Sequence, residues 1–400
     1  MVSTCFYFQV HQPFRLSKCS IFDIGSNKNH FDDHKNQEIM QRVANKCYLP
    51  ANKLLLELIR KTDGKFKVSF SITGTAIEQF ENKFPEVLES FMDLADTGNV
   101  EFLSETYHHS LSFIYSKPEF RKQVLRHKTL IRRYFKQSPK VLRNTELIYN
   151  NDLAAIAEKL GYKGVIIEGA DQILAGRNPN FLYNAKNSGI KLLLKNYKLS
   201  DDIAFRFSER SWNEWPLTAG KFASWMNNVN GDGNIINLFM DYETLGEHQW
   251  RDSGIFNFIE HLPQEILKNP DNDFVTPSEA ISRYNTCGEI DSRELFSWAD
   301  MERDTSAWLG NKMQLSAIKE LYSLEKQVMK SNNSEIIELW RKLQTSDHFY
   351  YMCTKYFADG DVHKYFNHYD TPYDAFVTYM NVLNDLKLRL KRKTLRMSFA

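Results

Sequence analysis

Two acidic residues define the chemistry open to this chain of 400 residues. Glu146 lies in Arg143-Asn144-Thr145-Glu146 and Asp241 in Phe239-Met240-Asp241-Tyr242-Glu243, each just past a short apolar run that reads as the tip of a strand. Barrel enzymes keep their chemistry at the C-terminal ends of parallel strands. Two carboxyl groups facing one cleft are the minimum equipment for splitting a glycosidic bond. Arg143, close in sequence, would hold Glu146 ionised, as a nucleophile must be; an ordinary ion pair with Arg143 is the plainer alternative. Asp241 follows a run broken only by Asn237, and partial burial there would raise its pKa and keep a proton available for a leaving group. It could equally cap the segment beginning at Tyr242. Glu243 and Glu247 compete with it for either role.

His11-Gln12-Pro13 follows the first strand pattern, so His11 and Gln12 should reach the same rim and offer donors to hydroxyl groups. His11 could instead be a metal ligand, with His108 and His109 as partners, in the manner of a polysaccharide deacetylase or a zinc-dependent mannosidase. The spacing matches no zinc motif such as H-E-x-x-H. Asp-x-His occurs at Asp32/His34 and Asp361/His363, neither at an expected strand tip. The sequence contains no G-x-S-x-G, P-loop or G-x-G-x-x-G, so serine hydrolysis, ATP use and hydride transfer lack their signatures.

The elements that must position these residues alternate. Strands are expected at Cys5–Val10, Val68–Ile72, Val100–Leu103, Val141–Arg143, Gly164–Ile167, Ile235–Met240 and Phe274–Val275, with Lys191–Leu194 as a further candidate. Amphipathic stretches such as Asn52–Arg60, Pro85–Ala95 and Lys117–Lys136 lie between them. In one such unit Asp152 should cap a helix closed by Gly161, placing Glu146 on a strand-to-helix loop. This alternation implies an α/β fold with a parallel sheet, and strand tips bearing acidic residues favour an incomplete (β/α)7 barrel over residues 1–280. Gly169–Leu182 and the Trp-rich Phe205–Trp225 read as irregular excursions. Beyond Ser278, Thr305–Gln327, Asn333–Leu343 and Tyr373–Leu390 carry helical periodicity and no convincing strand, so residues 281–400 read as a helical domain. The basic tail around Lys387–Lys393 fits a solvated helix end.

Charge is balanced, 51 basic against 50 acidic residues, which gives no global field favouring nucleic acid or an anionic membrane. No apolar run is long enough to span a bilayer and the N-terminus carries no signal-type pattern. Five cysteines without a pairing framework suit reduced thiols. A cytoplasmic location is expected.

The chain resembles glycoside hydrolase family 57, which includes α-amylases, 4-α-glucanotransferases and glycogen-branching enzymes. Five short motifs describe that family. His11-Gln12-Pro13 matches the first. Gly98 through Ser110, with His109, resembles the second, and Arg143 through Tyr149 the third, which carries the nucleophile, here Glu146. Asp241 through Glu247 resembles the fourth, which carries the acid/base, here Asp241. Asp304 through Asn311, with Trp308, resembles the fifth, whose aromatic lines the sugar groove. Leu343 through Asp347 resembles a helical-domain segment whose aspartate contacts substrate, and Arg206 an arginine of the branching enzymes. The third segment lacks the Trp-x-Pro ending common in transferases and branching enzymes, and the pattern is closer to bacterial sequences labelled α-amylase than to the transferases. The resemblance implies a (β/α)7 barrel with a helical bundle and a retaining double displacement on an α-1,4-glucan or maltooligosaccharide. It implies no metal or organic cofactor. It leaves hydrolysis and transfer open, with hydrolysis favoured, and a catalytically silent glucan-binding protein as the reading from another class.

Overall fold

The computed structural model describes residues 2–26, 29–355 and 367–398. In chain order its strands are β1 (Val2–Val10), β2 (Val68–Ile72), β3 (Val100–Phe102), β4 (Val141–Arg143), β5 (Gly164–Glu168), β6 (Leu182–Ala185), β7 (Lys191–Lys195), β8 (Ile235–Asp241), β9 (Leu245–Gly246), β10 (Gln249–Trp250), β11 (Asn272–Phe274) and β12 (Thr286–Ile290).

Strand β1 is buried along its whole length: it has parallel neighbours on both edges and packed residues on both faces. β8 runs along one edge; β11 covers the first half of the other and β2 the second. Its side chains divide by alternation. Phe6, Phe8 and Val10 pack outward with the helices Asp33–Val43, Leu49–Lys61 and Gly74–Lys83. Cys5 and Tyr7 face the other way, into a small cluster with Val141, Ile166, Leu193, Ile235 and Phe239 from β4, β5, β7 and β8. The inward residues of five strands thus meet one another.

β2 pairs with β3, β4 with β5 and β5 with β7, all parallel. Ser104, just past β3, bridges to β4: its N–H donates to Val141 at 3.1 Å and its carbonyl accepts from Arg143 at 2.8 Å. On the far side the Asn196 N–H donates to the Asn237 carbonyl of β8 at 2.9 Å. The strands β8, β1, β2, β3, β4, β5 and β7 therefore run side by side in one direction and present their C-terminal ends together. β6 is antiparallel to β7 and carries β12 on its other edge, so the sheets are mixed.

Several sequence expectations change. β12 lies beyond Ser278, where no strand was expected; its exposed Cys287, Gly288 and Glu289 give no apolar alternation to read. β6 begins at the end of the stretch taken as irregular and is recruited by pairing with its neighbours rather than by its own pattern. The helix after Glu146 starts at Asn151, with Asn150 at its N-cap and Asp152 inside its first turn. The Trp-rich stretch ends in a helix, Ala219–Asn227. Asp361 and His363 lie outside the described residues.

The C-terminal helices Lys312–Ser323, Ser334–Lys342 and Pro372–Ser398 share a core with the helix-facing residues of β4, β5 and β7. The start of the short helix Ser346–Tyr350 reaches the strand tips: Ser110 bridges Thr345, and the Ser346 N–H donates to the His109 carbonyl at 2.9 Å. This contact delivers Ser346 and Asp347 to the rim.

Candidate active site

Glu146 sits in a tight turn, Thr145–Leu147, between β4 and the following helix. Its φ is 58° and that of Leu147 is 51°, a left-handed conformation that costs a non-glycine residue about 1–2 kcal/mol. Local bonds hold it there. Thr145 Oγ1 meets Thr106 Oγ1 at 2.7 Å, Asn144 Nδ2 donates to the Ile148 carbonyl at 2.8 Å, and the Trp298 N–H donates to the Glu146 carbonyl at 3.3 Å. The turn aims the carboxylate at three donors from three parts of the chain. His109 Nε2 and Ser346 Oγ donate to Oε1 at 3.2 and 2.8 Å, and Trp298 Nε1 donates to Oε2 at 2.9 Å. Burial works to raise the Glu146 pKa, but the His109 bond and charge, with Arg143, outweigh it and hold the carboxyl below its ordinary value. It is ionised at neutral pH.

Asp241 is the last residue of β8, paired in register with Gln9 of β1. Enclosure by protein, then the negative charge of Glu146, push its carboxyl up to about 6, against the pull of Arg143, His109 and Lys195. The two acids are thus close enough to feel each other and are driven in opposite directions. Their competitors point elsewhere. Glu243 accepts from the Tyr48 hydroxyl and, at 3.2 Å, from Gln12 Nε2; burial, then Asp241, push it up to about 8. Glu247 pairs with Arg42 at 2.7 Å and Lys46 at 3.7 Å.

His11 lies over His109, ring centroids 4.0 Å apart and nearly parallel. Its Nε2 donates to Asp347 Oδ2 at 3.0 Å, and its Nδ1 accepts from Thr73 Oγ1 at 2.9 Å. Burial, then the charge of His109, hold His11 below its usual value, so the ring is neutral. Burial opposes ionisation of Asp347, but the His11 contact and the charges of His109 and Arg15 keep its carboxyl far below the usual range. His11, His109 and Asp347 each offer a ligand atom within 4.8 Å of the others. A metal would have to displace the His11–Asp347 bond and, at His109, a proton held between two carboxylates. The set fits hydrogen bonding better than metal ligation. Asp32 caps the helix Asp33–Val43 instead of joining His34 in a site.

The sequence-derived candidates therefore divide. His11, His109, Glu146 and Asp347 meet directly, and Asp241 joins them electrostatically. Gln12 stands one step back, on Glu243. Arg206 is not among the direct partners of these residues; it pairs with Asp202 at 2.6 Å, donates to the Lys198 carbonyl at 2.9 Å and lies over Trp212. Arg143 makes no ion pair with Glu146 among the described residues; it approaches Glu105 at 3.9 Å. Trp308 is 2 % exposed, in the core of the C-terminal helices beside Tyr350, with no face open to a sugar. The helical periodicity of Thr305–Gln327, in which Trp308 lies, fits such a core position. The aromatic at Glu146 is Trp298, which sequence reading missed. It stands on a loop without periodicity, fixed by Arg303, which donates to the Trp298 carbonyl and pairs with Glu168 and Asp201. Ser346 and Glu105 were missed as well; Glu105, four residues before His109 and just after a strand, did carry a signal.

Trp308→Ala should accordingly cost stability, about 3–5 kcal/mol for an indole removed from a core. Thermal or denaturant unfolding measures it. Weakened maltooligosaccharide binding by a variant that melts near wild type would instead put Trp308 in the groove.

Three comparisons bear on this arrangement. The sequence model of glycosyl hydrolase family 57 matches residues 5–293. A protein of Methanocaldococcus jannaschii named "Putative alpha-amylase" is 45% identical, over 98% of this chain and 86% of its own length. Among solved structures, the branching enzyme of Pyrococcus horikoshii superposes with a TM-score of 0.70 at 14% identity, covering 91% of this chain and 87% of that one. The 4-α-glucanotransferase of Thermococcus litoralis gives 0.69 at 16% identity over 87% of this chain; the chain spans only 56% of that enzyme. An α-amylase of Thermotoga maritima gives 0.64 at 12%, covering 98% and 93%. At these identities the structures establish a shared α/β fold.

Proposed function

We propose that this chain, which belongs to glycosyl hydrolase family 57, is a retaining hydrolase of α-1,4-glucosidic bonds in α-glucans and maltooligosaccharides. The observation that carries the reading is the divergence of its two acids: Glu146, which accepts from three donors, is held ionised by His109 and Arg143 against its burial, while burial and the charge of Glu146 push Asp241 up to about 6. In this reading Glu146 attacks the anomeric carbon while Asp241 protonates the departing glycosidic oxygen. Asp241 then takes a proton from water, and hydroxide character at that water releases the sugar from Glu146. Retention calls for carboxyl groups about 5–6 Å apart. His11 and Asp347 are the candidate partners for sugar hydroxyls, a role that suits a neutral imidazole and an ionised carboxylate.

We read the seven parallel strands as a (β/α)7 barrel, residues 1–280, with residues 281–400 as a helical domain that closes the groove by supplying Ser346 and Asp347. The hydrogen bonds that link β3 to β4 and β7 to β8, and the inward cluster of residues from five strands, support that reading.

Hydrolysis and transfer would use the same two acids and differ in what reaches the glycosyl intermediate. Incubation with linear maltooligosaccharides, with products resolved by length, linkage and anomeric form, separates them. The expected result is shorter oligosaccharides released first as α-anomers. Longer products would mean disproportionation, new α-1,6 linkages would mean branching, and β-anomers would overturn retention.

A further inference from the structure

Beneath the nucleophile runs a chain of buried polar groups that the mechanism above does not use. Glu105 follows β3 and is fully buried. Its Oε2 accepts from His109 Nδ1 at 3.3 Å, and its Oε1 accepts from Gln9 Nε2 of β1 at 3.1 Å. The Glu105 backbone is fixed too, its N–H donating to His127 Nδ1 at 3.2 Å while His127 Nε2 donates to the Ile72 carbonyl at 2.8 Å. The His109 backbone has a φ of 50°, which turns its ring between Glu105 on one side and Glu146 on the other. Both ring nitrogens therefore meet a carboxylate. A buried carboxylate is costly without compensation, and here the compensation points at the catalytic rim.

We propose that Glu105 is a positioning residue for the nucleophile: it fixes the ring of His109 so that the second N–H of that ring lies on Glu146. The inference rests on the assignment of Glu146 as nucleophile. The geometry gives His109 a role on the enzyme's own carboxylate in place of a role on a sugar hydroxyl. The electrostatics agree. Burial alone would lower the His109 pKa, but its bonds to Glu105 and Glu146 raise it to about 9. Burial likewise opposes the charge on Glu105, yet His109 and Arg143 bring it down to about 2. The groups facing His109 are Glu105, Glu146, Arg143, His11, Asp347 and Asp241. Those facing Glu105 are His109, Arg143, His127 and the Tyr7 hydroxyl; those facing Glu146 are His109, Arg143, Asp347 and Asp241. Arg143 lies 3.4 Å from His109 Nδ1 and its charge works against the imidazolium; the Glu105 carboxylate, 3.3 Å from the same nitrogen, offsets it.

Glu105→Gln keeps the shape and removes that charge. With it gone, His109 should lose its proton at a lower pH and Glu146 should lose the cation against it. The pKa of Glu146 then rises, and the acid limb of the pH profile for kcat/KM moves to higher pH. The expected shift is about one pH unit, so that on the acid limb, well below the pKa of Glu146, kcat/KM falls about tenfold with KM little changed. Glu105→Asp should recover part of both. Nitrogen-15 histidine NMR on the full-length protein supplies a readout independent of activity. Wild-type His109 should carry protons on both nitrogens at pH 7, and the Glu105→Gln protein on one. A neutral His109 in the wild type overturns the proposal, as does a Glu105→Gln enzyme with an unchanged pH profile. Should Glu105→Gln fail to fold, the wild-type titration alone decides. Full activity in Glu146→Gln would refute the nucleophile assignment separately, leaving the NMR arm to judge the Glu105–His109 pair.

Discussion

Glu146→Gln is expected to lower turnover of an α-1,4-glucan by at least ~10³-fold. The amide is nearly isosteric with the carboxylate but cannot form the covalent glycosyl intermediate. Its surroundings are unfavourable in a second way. Glu146 accepts from His109, Ser346 and Trp298 and donates to none of them; a glutamine must turn its NH2 group toward one of these donors. A modest loss of local order should follow, with global stability kept, since the turn itself is held by backbone and Thr145 and Asn144 contacts. The measurement is reducing-end release beside a thermal melt. Azide offers a stricter check in a smaller variant, Glu146→Ala, with an activated substrate. The anion can enter the space left by the carboxylate and attack from the nucleophile's face, giving a β-glycosyl azide. A wild-type rate in Glu146→Gln would remove Glu146 from the mechanism.

The parts of the fold that were legible in the sequence are those whose residues carry their own pattern. β1, β2, β4, β5 and β8 are rich in β-branched, aromatic and other apolar residues and are buried on both faces, and parallel strands of that kind announce themselves. The acidic residues just beyond β4 and at the end of β8 could be placed because a strand's end is local information. What escaped was set by distant partners. β12 is largely exposed and exists through its pairing with β6. Trp298 reaches Glu146 because Arg303, Glu168 and Asp201 anchor its loop, contacts that span more than a hundred residues. Trp308 and Trp298 illustrate the same limit from opposite sides. An indole looks alike in a core and in a groove, and only the packing of other segments separates them. Ser346 and Asp347 mark the intermediate case: their segment was singled out, but its arrival beside His109 depends on the bridge between Ser110 and Thr345.

Asp241 should answer differently from Glu146, and the contrast tests the division of labour. Asp241→Asn leaves the nucleophile in place and removes the proton donor, so natural glucans, whose leaving group is a sugar alkoxide, should react about 10²–10⁴-fold more slowly. A maltooligosaccharyl fluoride needs no protonation to leave. Its first step should stay within about tenfold of wild type, followed by slow release of the glycosyl-enzyme because the general base is missing. A burst of fluoride close to one equivalent of enzyme is the expected signature. The pH profile supplies a second reading. In the proposed mechanism activity requires Glu146 ionised and Asp241 protonated, so kcat/KM should rise with pH through the lowered pKa of Glu146 and fall above that of Asp241, about 6 in the free protein. In Asp241→Asn the descending limb should vanish with the group that causes it. In the proposed double displacement the same electrostatics would let one carboxyl serve both steps. The charge of Glu146 helps to keep the proton on Asp241, and that charge is consumed when Glu146 is glycosylated. The pKa of Asp241 then falls toward its ordinary value as the group changes from acid to base. If fluoride and glucan substrates lose activity alike in Asp241→Asn, the residue is shaping the site rather than moving a proton, and Glu243, its buried neighbour held up to about 8, becomes the acid to test.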